Sequence, residues 1–226
     1  MEQILYSDEL LLVVNKPPGL ATVPGGWEED TSNLLELLEA EYGSADGPEK
    51  AIWIVHRLDR VTSGVVLFAR TAEAHRALSL LFESRAVHKV YHALVTGLPS
   101  WKQQTARQPL RADVGHSHRT AVDWKNGKPA VTHFRVSERF KDCALLEAAP
   151  ETGRTHQVRA HAAALGFPLL ADALYGALPT GLISRPALHA YSLEFEFQGK
   201  PFSFTAPHPD DLKAALRLLR RGHERL

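Results

Sequence analysis

Short apolar runs broken by turn residues dominate the opening of the chain. Ile4-Leu5-Tyr6 and Leu10-Leu11-Leu12-Val13-Val14-Asn15 read as two strands turned at Ser7-Asp8-Glu9. Lys16-Pro17-Pro18-Gly19-Leu20 ends the second, because two prolines lack the donor that a ladder needs. Thr31-Ser32 is the expected N-cap of a helix over Asn33 to Tyr42, with Leu34, Leu35, Leu37 and Leu38 as its apolar face. After a loop at Ser44 to Pro48, Trp53-Ile54-Val55 leads to Val65-Val66-Leu67-Phe68-Ala69, a continuous run that suits a buried strand. Thr71-Ala72-Glu73 opens a second helix with Ala77, Leu78, Leu81 and Phe82 inward. Lys89 to Gly97 alternates as a strand, with Val90, His92 and Leu94 on one face and Tyr91, Ala93 and Val95 on the other.

From Pro99 to Lys128 the pattern turns polar and irregular, which predicts an exposed insertion. Ala130 to Phe140 and Cys143 to Ala148 form a strand pair, His156 to Leu165 a helix ended by Gly166, and Leu188 to Phe197 with Phe202 to Thr205 a final hairpin. The tail from Pro209 is helical, with Leu212, Ala215, Leu216 and Leu219 inward and arginines outward. Strands outnumber helices and are joined by short turns, so the expected class is α+β with a mixed, largely antiparallel sheet flanked by helices. There is no βαβ alternation and no glycine-rich phosphate loop, which argues against a dinucleotide-binding fold or a nucleotide triphosphatase.

Length changes little. The 226 residues fit a single domain over 1–226, with 44% hydrophobic residues to build its core. Cys143 is the only cysteine, which excludes an intrachain disulfide and points to the cytoplasm. No signal peptide and no run of membrane-spanning length is read, so no membrane partner is expected.

Charge is more telling in its distribution than in its sum. Lys and Arg total 26 against 26 Asp and Glu. A neutral sum weighs mildly against nucleic-acid binding. The acids, however, concentrate from Glu28 to Glu49, while bases gather at Arg85 to Lys89, at Arg107, Arg111, Arg119, Lys125 and Lys128, and from Arg217 to Arg225. A chain polarised in this way can bind a polyanion.

The candidate chemistry centres on His56-Arg57-Leu58-Asp59-Arg60-Val61-Thr62-Ser63-Gly64, immediately before the apolar strand. A carboxylate between two fixed cations stays ionised near neutrality, which suits a nucleophile and not a general base. Read alone, such a run is also what a solvated charge cluster looks like. His-Arg-Leu-Asp-x-x-Thr-Ser-Gly before an apolar strand resembles the signature of the RluA-type RNA pseudouridine synthases, in which the Asp is the catalytic residue. The resemblance makes Asp59 the nucleophile.

Lys89-Val90-Tyr91-His92-Ala93 resembles that family's second motif, whose Tyr lies against the target base; on periodicity alone Tyr91 is a half-buried strand residue. Thr152-Gly153-Arg154-Thr155-His156-Gln157-Val158-Arg159 resembles the third, whose Arg pairs with the catalytic Asp and whose aliphatic residue, here Val158, lies against the uracil. Without the resemblance the same stretch is a polar loop capping a helix, with Thr155 as N-cap and Arg159 and His161 on the surface. Asn15-Lys16-Pro17-Pro18-Gly19 is similar to the segment opening the family's catalytic domain, so the likeness runs from about Ile4 to Thr205. Weaker echoes lie at Gly127 to Thr132, Leu170 to Gly176 and Leu188-His189-Ala190. Phe167, Ala171 and Ala160 depart from the family's usual residues, at positions that touch packing and not the three catalytic positions. The small RNA-binding domain that precedes many relatives is expected to be absent.

The resemblance implies isomerisation of specific uridines to pseudouridine in ribosomal RNA, transfer RNA or both, by a monomer that needs neither cofactor nor metal and has no DNA partner. Asp59 attacks either the sugar or the base, Tyr91 stacks on the base, and Arg154 orients Asp59. Arg57 fills the space left by the flipped uridine, or else makes a surface salt bridge. The compact segment from Pro109-Leu110-Arg111 to Gly127-Lys128-Pro129-Ala130 looks most like the dual-specificity or tRNA-directed members. The alternative is an RNA-binding module that kept this fold and lost the chemistry. His116-Ser117-His118 is too small a donor set for a metal site, and Ser63 lacks the G-x-S-x-G frame of a serine hydrolase.

Overall fold

The computed structural model describes residues 3–24, 32–42, 52–115 and 119–223. They group into two compact units, Met1–His88 with Ala190–Pro207, and Lys89–His189 with His208–Leu226. The class is α+β, and the strand pairs within each unit run antiparallel.

In the first unit, β1 (Gln3–Ser7) pairs with β2 (Leu11–Lys16), which pairs in turn with β4 (Ser63–Ala69). The short β3 (Trp53–Ile54) also lies on β4, and β11 (Leu188–Phe197) carries β12 (Lys200–Thr205) as a hairpin. All seven residues of β4 are buried, as its unbroken apolar run predicts. Two helices complete the unit, α1 (Leu34–Tyr42) and α2 (Ala72–Glu83). Thr71 caps α2 by accepting from the Ala74 N–H, and the expected stripe of Ala77, Leu78, Leu81 and Phe82 packs against Val65, Leu67, Leu193 and Phe195. At α1 the cap is displaced from Thr31-Ser32, of which Thr31 lies outside the described residues. Asn33 Oδ1 accepts from the Glu36 N–H at 3.1 Å while Glu36 Oε2 accepts from the Asn33 N–H at 3.4 Å, a reciprocal capping box. The loop expected at Ser44 to Pro48 also lies outside the described residues.

In the second unit, β5 (His88–Thr96) pairs with β10 (Cys143–Pro150), β10 with β9 (Thr132–Arg139), and β9 with β6 (Gln103–Ala106). The alternation of β5 holds: Tyr91, Ala93 and Val95 join a cluster with Val158 of α3 (Gln157–Ala164), and Leu94 joins the opposite cluster with Leu212, Ala215 and Leu216 of α4 (Asp210–His223). The insertion expected between Pro99 and Lys128 is instead structured. It holds β6 and a separate ribbon of β7 (Leu110–Val114) and β8 (Arg119–Val122). An edge strand and a two-stranded ribbon have little core to face, so they carry the polar residues that hid them.

Candidate active site

Asp59 sits in the loop between β3 and β4 of the first unit, partly exposed, and its carbonyl accepts from the Thr62 N–H at 3.0 Å. The loop is anchored by a residue that the sequence pattern hid inside a turn. Lys16 is fully buried, and its Nζ donates to the carbonyls of Pro17 (2.9 Å), Leu20 (2.7 Å) and Arg60 (3.2 Å). An ammonium has three donors, and all three are matched. Thr22 adds a second tie, its hydroxyl donating to the Leu58 carbonyl at 2.8 Å and accepting from the Leu58 N–H at 3.2 Å. Arg60 Nε donates to the Gly19 carbonyl, and the Gly19 N–H donates to the Arg60 carbonyl. The Asn15–Pro24 segment and the Asp59 loop are therefore one cross-braced unit.

Two further residues of the signature are explained locally. His56 Nε2 accepts from the Leu67 N–H at 3.0 Å and its ring stacks on Phe82, so it ties the loop to β4 and α2. Gly64 has φ +118°, and a Cβ built there would lie 2.1 Å from the Ala190 carbonyl oxygen; only glycine fits. Arg57, two residues before Asp59, is exposed.

The other candidates lie in the second unit. Tyr91 is half-buried on β5 opposite Ala148 and packs against the cluster that contains Val158. Val158 is buried, so packing is its first role. Arg154 is exposed, with Nε donating to the Pro129 carbonyl at 3.2 Å. Its backbone is held from below, because the Arg154 N–H and the Thr152 hydroxyl both donate to Gln157 Oε1, at 3.0 and 2.7 Å. Gln157 Nε2 donates in turn to the Val131 carbonyl and the Thr132 hydroxyl. Thr155 is not the N-cap: that position falls to His156, which makes no side-chain cap bond, and the Gln157 amide instead ties down the loop before the helix. The helix begins at Gln157, after His156 in the left-handed region at φ 52°.

Arg159 and His161 are not on the surface. Arg159 makes a bidentate pair with Asp172, Nε to Oδ2 at 2.7 Å and Nη2 to Oδ1 at 2.8 Å, and both side chains are almost wholly buried. Its guanidinium lies 5.1 Å from the centre of the Tyr175 ring, whose hydroxyl binds the backbone of Thr120 on β8. His161 bridges the Thr132 hydroxyl and the Gln108 carbonyl, and burial lowers its pKa. These residues tie α3 to Asp172, Thr132 and Gln108. Their partners are far off in sequence, which is why periodicity missed them.

Burial also lowers the pKa of Lys89, beside Tyr91, and pushes the Cys143 thiol up to about 11, which leaves it unreactive near neutrality. Among the described residues no group of three or more His, Cys, Asp or Glu side chains is placed to hold a metal. The His116-Ser117-His118 string lies outside them.

Residues 10–164 match the family model described as RNA pseudouridylate synthase. Ribosomal large subunit pseudouridine synthase D of Xanthomonas campestris is 38% identical over 237 residues, covering 98% of this chain and 70% of the relative. An uncharacterized RNA pseudouridine synthase of Mycobacterium bovis is 40% identical over 226 residues, covering 96% and 72%. The solved structure of human RNA pseudouridylate synthase domain containing 4 superposes with a TM-score of 0.78 at 23% identity, over 96% of this chain and 93% of that one. The fold is thus that of a pseudouridine synthase, an RNA-modifying isomerase. The chain belongs to the RluA-type family of RNA pseudouridine synthases.

Proposed function

We propose that this enzyme isomerises uridine in ribosomal RNA with Asp59 as its nucleophile. The observation that carries the assignment is the bracing of the Asp59 loop: a partly exposed carboxylate on a backbone fixed by Lys16, Thr22 and Arg60. A loop held this firmly presents a reacting group with little orientational freedom to lose. The ribosomal target rests on the name of the relative from Xanthomonas campestris.

In the reaction the bond from ribose C1′ to uracil N1 breaks, the base turns, and a bond from C1′ to C5 forms. The C5 proton leaves and N1 ends protonated, so the atoms balance without an oxidant or a second substrate. Asp59 attacks either C1′ or the base and is released when the new bond is made. Tyr91 stacks on the uracil, with Val158 behind it in the same apolar cluster. Arg154 orients the carboxylate in the RNA-bound enzyme. Arg57, exposed beside the nucleophile, occupies the gap left by the flipped nucleotide. The buried, unreactive Cys143 suits work in a reducing cytoplasm.

The test is tritium release from unmodified ribosomal and transfer RNA labelled at C5 of uracil. Wild type is expected to release tritium from ribosomal RNA. Asp59→Ala and Asp59→Asn are expected to fold, bind the same RNA and release none. Turnover surviving either change would refute the nucleophile, and release from transfer RNA alone would move the target. Tyr91→Phe keeps the stacking ring, so its loss of rate measures the hydroxyl alone.

A further inference from the structure

Trp124 is 77% exposed, the only aromatic side chain among the large hydrophobic residues that stand out from the described surface. It stands on a turn built to hold it there. Asp123 Oδ1 accepts from the N–H groups of Lys125 (3.0 Å) and Asn126 (2.9 Å), and the Gly127 N–H donates to the Asp123 carbonyl at 2.8 Å. The Asp123 N–H donates to the Pro109 carbonyl, while Leu110 and Lys128 exchange both backbone bonds across the base of the turn. A Cβ at Gly127 would come within 3 Å of Asp123, Pro109 and Leu110, so the turn closes only with glycine there. A rigid mount for an exposed indole keeps a large apolar surface in water, where the hydrophobic effect gives it no stability.

The surroundings are cationic although the chain as a whole is neutral. Lys125 and Lys128 are exposed on the same turn, and Arg111 pairs with Asp123 at 2.9 Å, which offsets the acid that precedes the indole. The turn is also tied to the Arg154 loop. Pro129, directly after Lys128, accepts from Arg154 Nε, and Val131 exchanges bonds with Glu151 and Thr152. An exposed π-face with two exposed lysines on its own turn matches one ligand chemistry, an unpaired nucleotide whose base stacks while its phosphates meet the ammonium groups.

We propose that Trp124 is a stacking platform for an unpaired nucleotide of the RNA substrate beside the target uridine, with Lys125 and Lys128 contacting its phosphates. The inference rests on the reading of ribosomal RNA as substrate. Trp124 acts in binding and takes no part in bond making.

Two measurements on the full chain separate the possibilities, steady-state tritium release from a large-subunit ribosomal RNA transcript and binding of a labelled single-stranded 12-nucleotide oligouridylate. Trp124→Ala is expected to raise KM and weaken oligonucleotide binding by about 5- to 150-fold, with kcat within about twofold of wild type. Trp124→Phe keeps a ring and is expected to stay within about fivefold of wild type in both. Lys125→Ala with Lys128→Ala is expected to flatten the salt dependence of binding by up to about 1.4 units of slope. Unchanged KM and unchanged oligonucleotide binding in Trp124→Ala would overturn the platform, as would equal losses in the Ala and Phe variants. If wild type released no tritium from ribosomal RNA, the substrate reading would fall. A Trp124-dependent loss of oligonucleotide binding would still uphold the platform.

Discussion

Lys16 and Arg60 are 44 positions apart, yet the Lys16 ammonium donates to the Arg60 carbonyl at 3.2 Å from a fully buried position. The residue after Asp59 is thus fastened to the segment that ends β2. Lys16→Met keeps most of the stem but takes the ammonium away from the Pro17, Leu20 and Arg60 carbonyls, of which Arg60's keeps the Gly19 N–H. An acceptor left unpaired and cut off from water costs about 1–3 kcal/mol, and the Asp59 loop is expected to loosen first. The prediction is a fall of at least about tenfold in kcat with a smaller change in KM, because orientation and not RNA contact is lost. Tritium-release kinetics beside a thermal melt check it. A folded Lys16→Met with wild-type kcat would show that the brace is dispensable.

Gly64→Ala tests the same loop from its other end. Backbone strain at φ +118° adds to a clash with the Ala190 carbonyl, and β4 is buried along its whole length, so nothing nearby can yield. Destabilisation of at least about 2 kcal/mol is expected. Gly19→Ala, at φ +86° with open space around the new methyl, is expected to cost only about 1 kcal/mol. Comparing the two melting temperatures separates strain from collision.

How much of this was legible beforehand depended on where each side chain's partners lie. The α2 stripe and the two faces of β5 were readable because apolar packing repeats with the period of the element. The Asp59, Tyr91 and Arg154 motifs stood out through their likeness to a family, since charge patterning by itself also permits a solvated cluster. Lys16 looked like part of a proline-rich turn, and Arg159 and His161 like surface residues. A charge buried against a carboxylate 13 positions on, or against carbonyls of another loop, leaves no periodic trace. The polar β6 was lost for the converse reason: an edge strand pairs by backbone and shows little apolar alternation.

The Arg159–Asp172 pair is expected to be costly to break and cheap to replace. Arg159→Met or Asp172→Leu alone strands one buried charge and is expected to lose about 3–5 kcal/mol. The double variant Arg159→Met/Asp172→Leu removes both charges and is expected to recover a large part of that loss. Urea midpoints of the three variants give the coupling. Activity should follow stability only partly, because the pair supports α3 directly behind the Arg154 loop.

Acid is expected to weaken the fold through buried histidines before the carboxylates titrate. Burial drives His92 down to about 4, aided by repulsion from His208 and Arg135, and burial also lowers His161 and His208. His92 Nδ1 and His208 Nε2 are 2.7 Å apart, which requires one nitrogen to donate and the other to accept. Protonating both would set two donors against each other. The unfolded chain takes up these protons near the ordinary value of about 6.5, while the folded chain resists until lower pH. Between those limits the unfolded state binds more protons, so stability rises with pH there. It is complete above about 6.5 and is lost as the pH falls towards about 4, by up to about 3 kcal/mol for His92. Urea midpoints are therefore expected to be flat from about pH 8 to 7 and to decline from about 6.5 to 4.5. His92→Asn is expected to flatten that decline, and an unchanged slope in this variant would assign the acid sensitivity to other groups.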